Sequence, residues 1–210
     1  GQRSRPHRAP AGRAVSVART WAVTVTGVRG RLVEVEADIA QGLPNVTIVG
    51  LPDTSLSEAR ARVRAAVVNS RLPWPQKRIT IGLSPASLPK RGSAFDVAVA
   101  VAVLAADGEL PAEGLDRTVF VGELGLDGRV RAVPGALPCA LAAQAAGARR
   151  VVVGVDAAAE VALVPDLEVW PVRSLGHVVA ALRGDAEPEP IPDVVAGPLP
   201  PAPDLADVVG

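Results

Sequence analysis

Residues 88–108 read LPKRGSAFDVAVAVAVLAADG, a Pro-Lys-Arg-Gly turn followed by a long apolar run and an Asp-Gly stop. Between Phe95 and Ala106 only Asp96 is polar, so a helix over this run is apolar on nearly every face and has to be buried all round. The Val-Ala alternation also fits a strand. Length decides for the helix: the run exceeds a usual strand, alanine favours helix, and Asp107-Gly108 is a natural C-terminal stop. It is also well short of the roughly 20 residues that span a membrane. Ser93 followed three residues later by Asp96 is an acidic relative of the capping box, which places the helix start at Ser93. Its free amide N–H groups would face the loop holding Lys90 and Arg91, an arrangement that favours an anion, with Asp96 competing for the same amides.

On either side of this helix the hydropathy pattern alternates between strand and helix periods. WAVTVTGV from Trp21 and LVEVEADIA from Leu32 form an antiparallel hairpin with Glu34 and Glu36 on its wet face. NVTIVG at 45–50 is a short strand. A helix capped by Ser55 and Glu58 runs to about Asn69, with Ala59, Val63, Ala66 and Val67 as its apolar stripe and Arg60 and Arg64 on another face. After Pro-Trp-Pro at 73–75, KRITIGL at 77–83 reads as a strand. Beyond the central helix, 119–124 and 129–133 read as a second hairpin turning at Asp127-Gly128. An Ala-rich helix to Gly147, a buried strand at 151–153, a short helix at 157–163, an edge strand at 169–172 and a last helix at 175–182 complete the pattern. Local strand pairs with helices among them predict a single α/β (α+β) domain over 19–184. Residues 1–18 are expected to be a disordered basic arm, and 185–203, rich in Pro, Asp and Glu, an extended linker.

Composition narrows the chemistry. The 210 residues carry 22 basic and 22 acidic side chains, so no global field recruits nucleic acid or membrane and an electrostatic partner must meet a local patch. The sequence holds no methionine, which suggests a processed piece, and its single cysteine, Cys139, excludes an internal disulfide and fits a cytoplasmic location. The arm lacks the apolar core of a secretory signal. Neither lysine, Lys77 or Lys90, follows a glycine, so there is no Gly-Lys-Ser/Thr phosphate loop and no ATP hydrolysis is expected of the chain alone. Gly122, Gly125 and Gly128 have the wrong spacing for a dinucleotide fingerprint. With only His7, in the arm, and His177, in a late helix, a Ser-His-Asp triad or a histidine metal site has few possible builders, and Cys139 reads as a small core residue.

Three segments carry a family resemblance: GLPNVTIVGLPDTSLSEARARVRAAVVNS, RITIGLSPASLPKRGSAFDVAVAVAVLAADG and VGELGLDGRVRAVPGALPCALAAQAAG. In this order they closely resemble the N-terminal, ChlI-like domain of the YifB/ComM family of magnesium-chelatase-like AAA+ ATPases, from about Trp21 to Arg183. DLADVVG at 204–210 looks like the entry to the AAA+ module of that family. Gly82, Ser87 and Arg91 depart from the Asn, Asp and Glu common there. The resemblance implies a fold like domain 2 of ribosomal protein S5, shared with Lon-type proteolytic domains. It also implies that Ala94 stands where a Lon-like serine nucleophile would be, and Leu137 where its lysine partner would be, so no catalytic residue is expected. Ser93 lies one residue off and reads as a helix cap.

The resemblance further implies a full-length ring, hexameric, that uses ATP and Mg2+ in its AAA+ module to act on branched DNA in recombination and transformation. This domain then pairs with its own AAA+ module and helps the ring engage DNA; the alternatives are a protein-interaction or oligomerisation module and a degenerate Lon-like serine peptidase. The candidate DNA or anion contacts are Arg60, Arg64, Arg71, Lys77, Arg78, Lys90 and Arg91, against the plainer reading of a solvated charged surface. No metal ligand set and no membrane partner is expected.

Overall fold

The computed structural model describes residues 17–50, 53–88 and 93–193. Its elements in chain order are β1 (Val17–Thr26), β2 (Arg29–Ala40), β3 (Asn45–Val49), α1 (Asp53–Asn69), β4 (Arg78–Ser84), α2 (Asp96–Ala106), β5 (Thr118–Val121), β6 (Glu123–Leu124), β7 (Val130–Arg131), α3 (Ala136–Ala145), β8 (Arg150–Gly154), α4 (Val155–Val161), β9 (Glu168–Val172) and α5 (Leu175–Arg183). Seven strands make one mixed sheet in the order β3-β4-β2-β1-β5-β8-β9. Only β2 runs antiparallel to its neighbours, β1 and β4; the remaining pairs are parallel. This is the mixed α/β sheet packed with helices that the sequence predicts.

The sheet separates two apolar clusters. On one side α1, α2 and α5 pack against the inward residues of β2 and β4, paired as Val35 with Leu83, Ala37 with Ile81 and Ile39 with Ile79. On the other side α3 and α4 cover Val23, Val119, Val121, Val151 and Val153. Every residue of α2 is buried, as its uninterrupted apolar sequence requires, and the buried Thr20 hydroxyl on β1 donates to the Ala98 carbonyl at 2.9 Å. Gly30 on β2 lets α3 approach closely, since a Cβ there would strike the Pro138 carbonyl and Ala142. The outward residues Glu34, Glu36 and Asp38 of β2 are half-buried, with Arg78 and Thr47 exposed on the neighbouring strands.

Three expectations need correction. The segment 119–124 does not form one arm of a simple hairpin: β5 lies inside the main sheet, parallel to β1 and β8, and only the two-residue strands β6 and β7 pair antiparallel. All four β5 residues are buried, and VFV at 119–121 is the apolar run of a strand covered on both faces. Gly122 then breaks the run, and the Asp127-Gly128 turn serves the small hairpin, with Gly128 at φ 84°. Second, α1 begins at Asp53, ahead of Ser55, whose side chain lies outside the described residues.

Third, residues 185–193 have no helix or strand but do not hang free of the domain. The Glu189 amide donates to the Pro171 carbonyl at 2.9 Å on the edge strand β9, and the Glu187 carbonyl lies 2.8 Å from His177 Nε2. Arg173 and Glu189 form an ion pair at 2.9 Å. The absence of an apolar stripe suggested a free linker, yet backbone pairing and an ion pair fasten this strap. The arm expected over 1–18, apart from the start of β1, and the stretch 194–210 lie outside the described residues.

Candidate functional site

The start of α2 differs in its chemistry from the sequence expectation. The N-cap is Phe95, with no side-chain cap, and the Ser93 hydroxyl donates to the Glu123 carboxylate rather than accepting from a helix amide. Asp96 does not occupy the helix amides either. Its Oδ2 accepts from Arg62 Nε at 2.8 Å and from the Leu124 N–H at 3.3 Å, and its Oδ1 accepts from Arg62 Nη2 at 3.2 Å. The two-pronged guanidinium thus ties α1, α2 and β6 at one buried point. Burial pushes the Asp96 carboxyl up while Arg62 works against it; the same hydrogen bond raises Arg62. The one polar residue in an apolar run signals that a partner is needed, but nothing in the spacing identifies Arg62 as that partner.

Ser93, Ala94, Glu123, Thr24 and Cys139 line a cleft of about 220 Å³ beside this junction. Leu137 is not among its lining residues; it sits in the first turn of α3, where its N–H donates to Glu160 Oε1 at 3.0 Å. The Cys139 thiol is pushed up to about 12 by burial, with Glu160 adding to the shift, which leaves it a packing residue and not a nucleophile. Lys90 and Arg91, the proposed anion site at the helix mouth, lie outside the described residues. Among the described residues no group of His, Cys, Asp and Glu is arranged to hold a metal ion, and no helix is long and apolar enough to cross a membrane.

The remaining cationic candidates divide by location. Arg60 and Arg64, one helical turn apart on α1, face a cleft of about 350 Å³ whose other walls are Pro44 to Val46 at the start of β3 and Trp74 to Lys77 before β4. Arg60 Nη1 donates to the Val46 carbonyl at 3.2 Å, which holds the guanidinium across the opening. Lys77 pairs with Asp107 at 3.5 Å, so part of its charge is spent inside the domain. Arg64 is exposed. Arg71 and Arg78 do not join them. Arg71 closes α1 in the left-handed conformation at φ 58°, and Arg78 begins β4 one residue out of phase with Lys77, on the opposite face of the sheet. Trp74, absent from the sequence candidates, is the residue that pattern reading missed. Its signal was a rare tryptophan held between two prolines.

The family model described as subunit ChlI of Mg-chelatase matches residues 35–157. The chain is 43% identical over 187 residues to the uncharacterized protein YifB of Escherichia coli, covering 88% of this chain and 36% of YifB. It is 39% identical over 170 residues to the competence protein ComM of Haemophilus influenzae, covering 81% of this chain and 33% of ComM. A more distant likeness, 30% over 167 residues, runs to the Lon protease of Rhizobium meliloti, covering 74% of this chain and 20% of that protein. The chain therefore spans about a third of YifB or ComM. By the extent of the ChlI match, and in company with YifB and ComM, the chain belongs to the magnesium-chelatase ChlI family.

Proposed function

We propose that the chain is a non-catalytic accessory domain through which a YifB/ComM-type ATPase engages DNA. The observation that carries this reading is the cleft where Arg60, Arg64 and Lys77 converge from α1 and the 74–77 loop, with Lys77 partly offset by Asp107. In a chain of zero net charge, such a local excess of arginine suits phosphate contact. The name of ComM as a competence protein favours DNA as the polyanion. ATP and Mg2+ would act in an AAA+ module of the longer protein, which would assemble as a cytoplasmic ring and remodel branched DNA in recombination. Ala94 and Leu137 leave the Lon-like dyad without a nucleophile or a base.

The test is a titration of the chain with DNA at several salt concentrations, comparing wild type with Arg60→Ala/Arg64→Ala. Two lost phosphate contacts should weaken binding irrespective of sequence and flatten the log-affinity against log-salt slope by about 1.8 units. An unchanged affinity and slope in a double variant with a normal melting temperature would refute the reading.

A further inference from the structure

We propose that the Arg60–Arg64 cleft takes one unstacked nucleotide of single-stranded DNA, with the base against Trp74 and its flanking phosphates on the two arginines. This rests on the DNA reading above and adds the form of DNA that the site selects. The cleft, about 350 Å³, falls near the lower end of the roughly 300–1,000 Å³ range of small-ligand sites, a size suited to one base and sugar and not to a duplex. Trp74 lines it, half-buried and packed in part against the main apolar cluster, which anchors the side chain at the edge of the cleft. Pro73 and Pro75 restrict the backbone on both sides, and Gln76 Nε2 donates to the Trp74 carbonyl at 3.2 Å, so little conformational freedom remains to be lost on stacking.

The cations occupy one wall and the aromatic another, the pairing by which single strands are held: charge follows the phosphates, and a π face accepts any base. In a duplex the bases are stacked on each other and cannot enter. The third tryptophan position offers a contrast. Trp170 has its ring face covered by the Arg150 guanidinium at 3.6 Å, and its indole N–H donates to Glu168.

The experiment titrates the 210-residue chain with short oligo-dT, with a duplex of equal length and with free dTMP, following tryptophan fluorescence and anisotropy at several salt concentrations. Wild type should prefer the single strand over the duplex, with dTMP much weaker than the oligonucleotide. Trp74→Ala should weaken oligo-dT binding by roughly 5- to 150-fold and leave both duplex affinity and the salt slope unchanged, because no charge is removed. Trp74→Leu, which keeps apolar filling but cannot stack, should show the same loss if Trp74→Ala is poorly folded. No single-strand preference in wild type, an undiminished affinity in folded Trp74→Leu, or dTMP binding as tightly as the oligonucleotide would overturn the proposal. Arg60→Ala/Arg64→Ala separates the two levels. If it weakens both DNA forms while the Trp74 variants lose nothing, the stacking site falls and DNA engagement stands; if neither set loses affinity, both fall.

Discussion

Removing Arg62 should expose how much the domain depends on one buried ion pair. The Asp96 side chain is 2% exposed and Arg62 23%, with paired contacts at 2.8 and 3.2 Å. Arg62→Ala leaves the carboxylate buried with, among the described residues, only the Leu124 N–H at 3.3 Å as a hydrogen-bond partner. Breaking a buried pair from one side costs about 3–5 kcal/mol, and the partial exposure of Arg62, which admits water, puts the expected loss near 3 kcal/mol. With a urea m-value of about 2 kcal/mol/M, the midpoint should fall by about 1.5 M. Arg62→Met/Asp96→Leu removes both charges and should lie within about 1–2 kcal/mol of wild type.

The pH dependence supplies an independent check. Burial already raises the Asp96 carboxyl above its ordinary value of 3.8, and loss of Arg62 removes the contact that opposes this rise. An acid with a higher pKa folded than unfolded binds its proton more tightly when folded, so its cost is absent below the unfolded value and grows as pH rises through the folded one. The deficit of Arg62→Ala should therefore be largest at neutral pH and shrink as pH falls towards 4. A deficit below about 1 kcal/mol, or one independent of pH, would refute the account of this junction.

Two further outcomes follow from the geometry. With its thiol raised to about 12, Cys139 should resist thiol reagents at pH 8 in the native chain and react fully in urea; complete labelling of folded protein within minutes would contradict its burial. Arg173 holds the Glu189 carboxyl below its ordinary 4.5 by hydrogen bonding and charge, so this contribution to strap docking is complete above that value and is lost as pH falls through the depressed one. Protection of the Glu189 amide, taken relative to its intrinsic exchange rate at each pH, should fall below pH 4 and in Arg173→Ala, while unchanged protection would mean that the backbone pairing to Pro171 holds the strap alone.

Much of the architecture is legible in the sequence. Period-two alternation marked β1, β2 and β4, and an apolar run too long for a strand marked α2 as the buried centre. The family was legible too, because three long segments in a fixed order carry more information than any single motif. The candidate site was legible only in part. Arg60 and Arg64 share a helical face by spacing alone, but their approach to Trp74 and Lys77 depends on β3 and β4 lying side by side after α1 crosses between them.

What the sequence by itself determined is which residues must leave water and with what period, since side-chain hydropathy and backbone geometry are local properties. What only the tertiary structure decided is which of those segments meet. TVFV could have paired with its neighbour in sequence, yet it entered the main sheet beside β1, where both faces are covered. Arg62 met Asp96 across 34 residues, and Glu189 reached the edge of β9. Such partnerships depend on the whole core being satisfied at once, a condition that no local window of sequence contains.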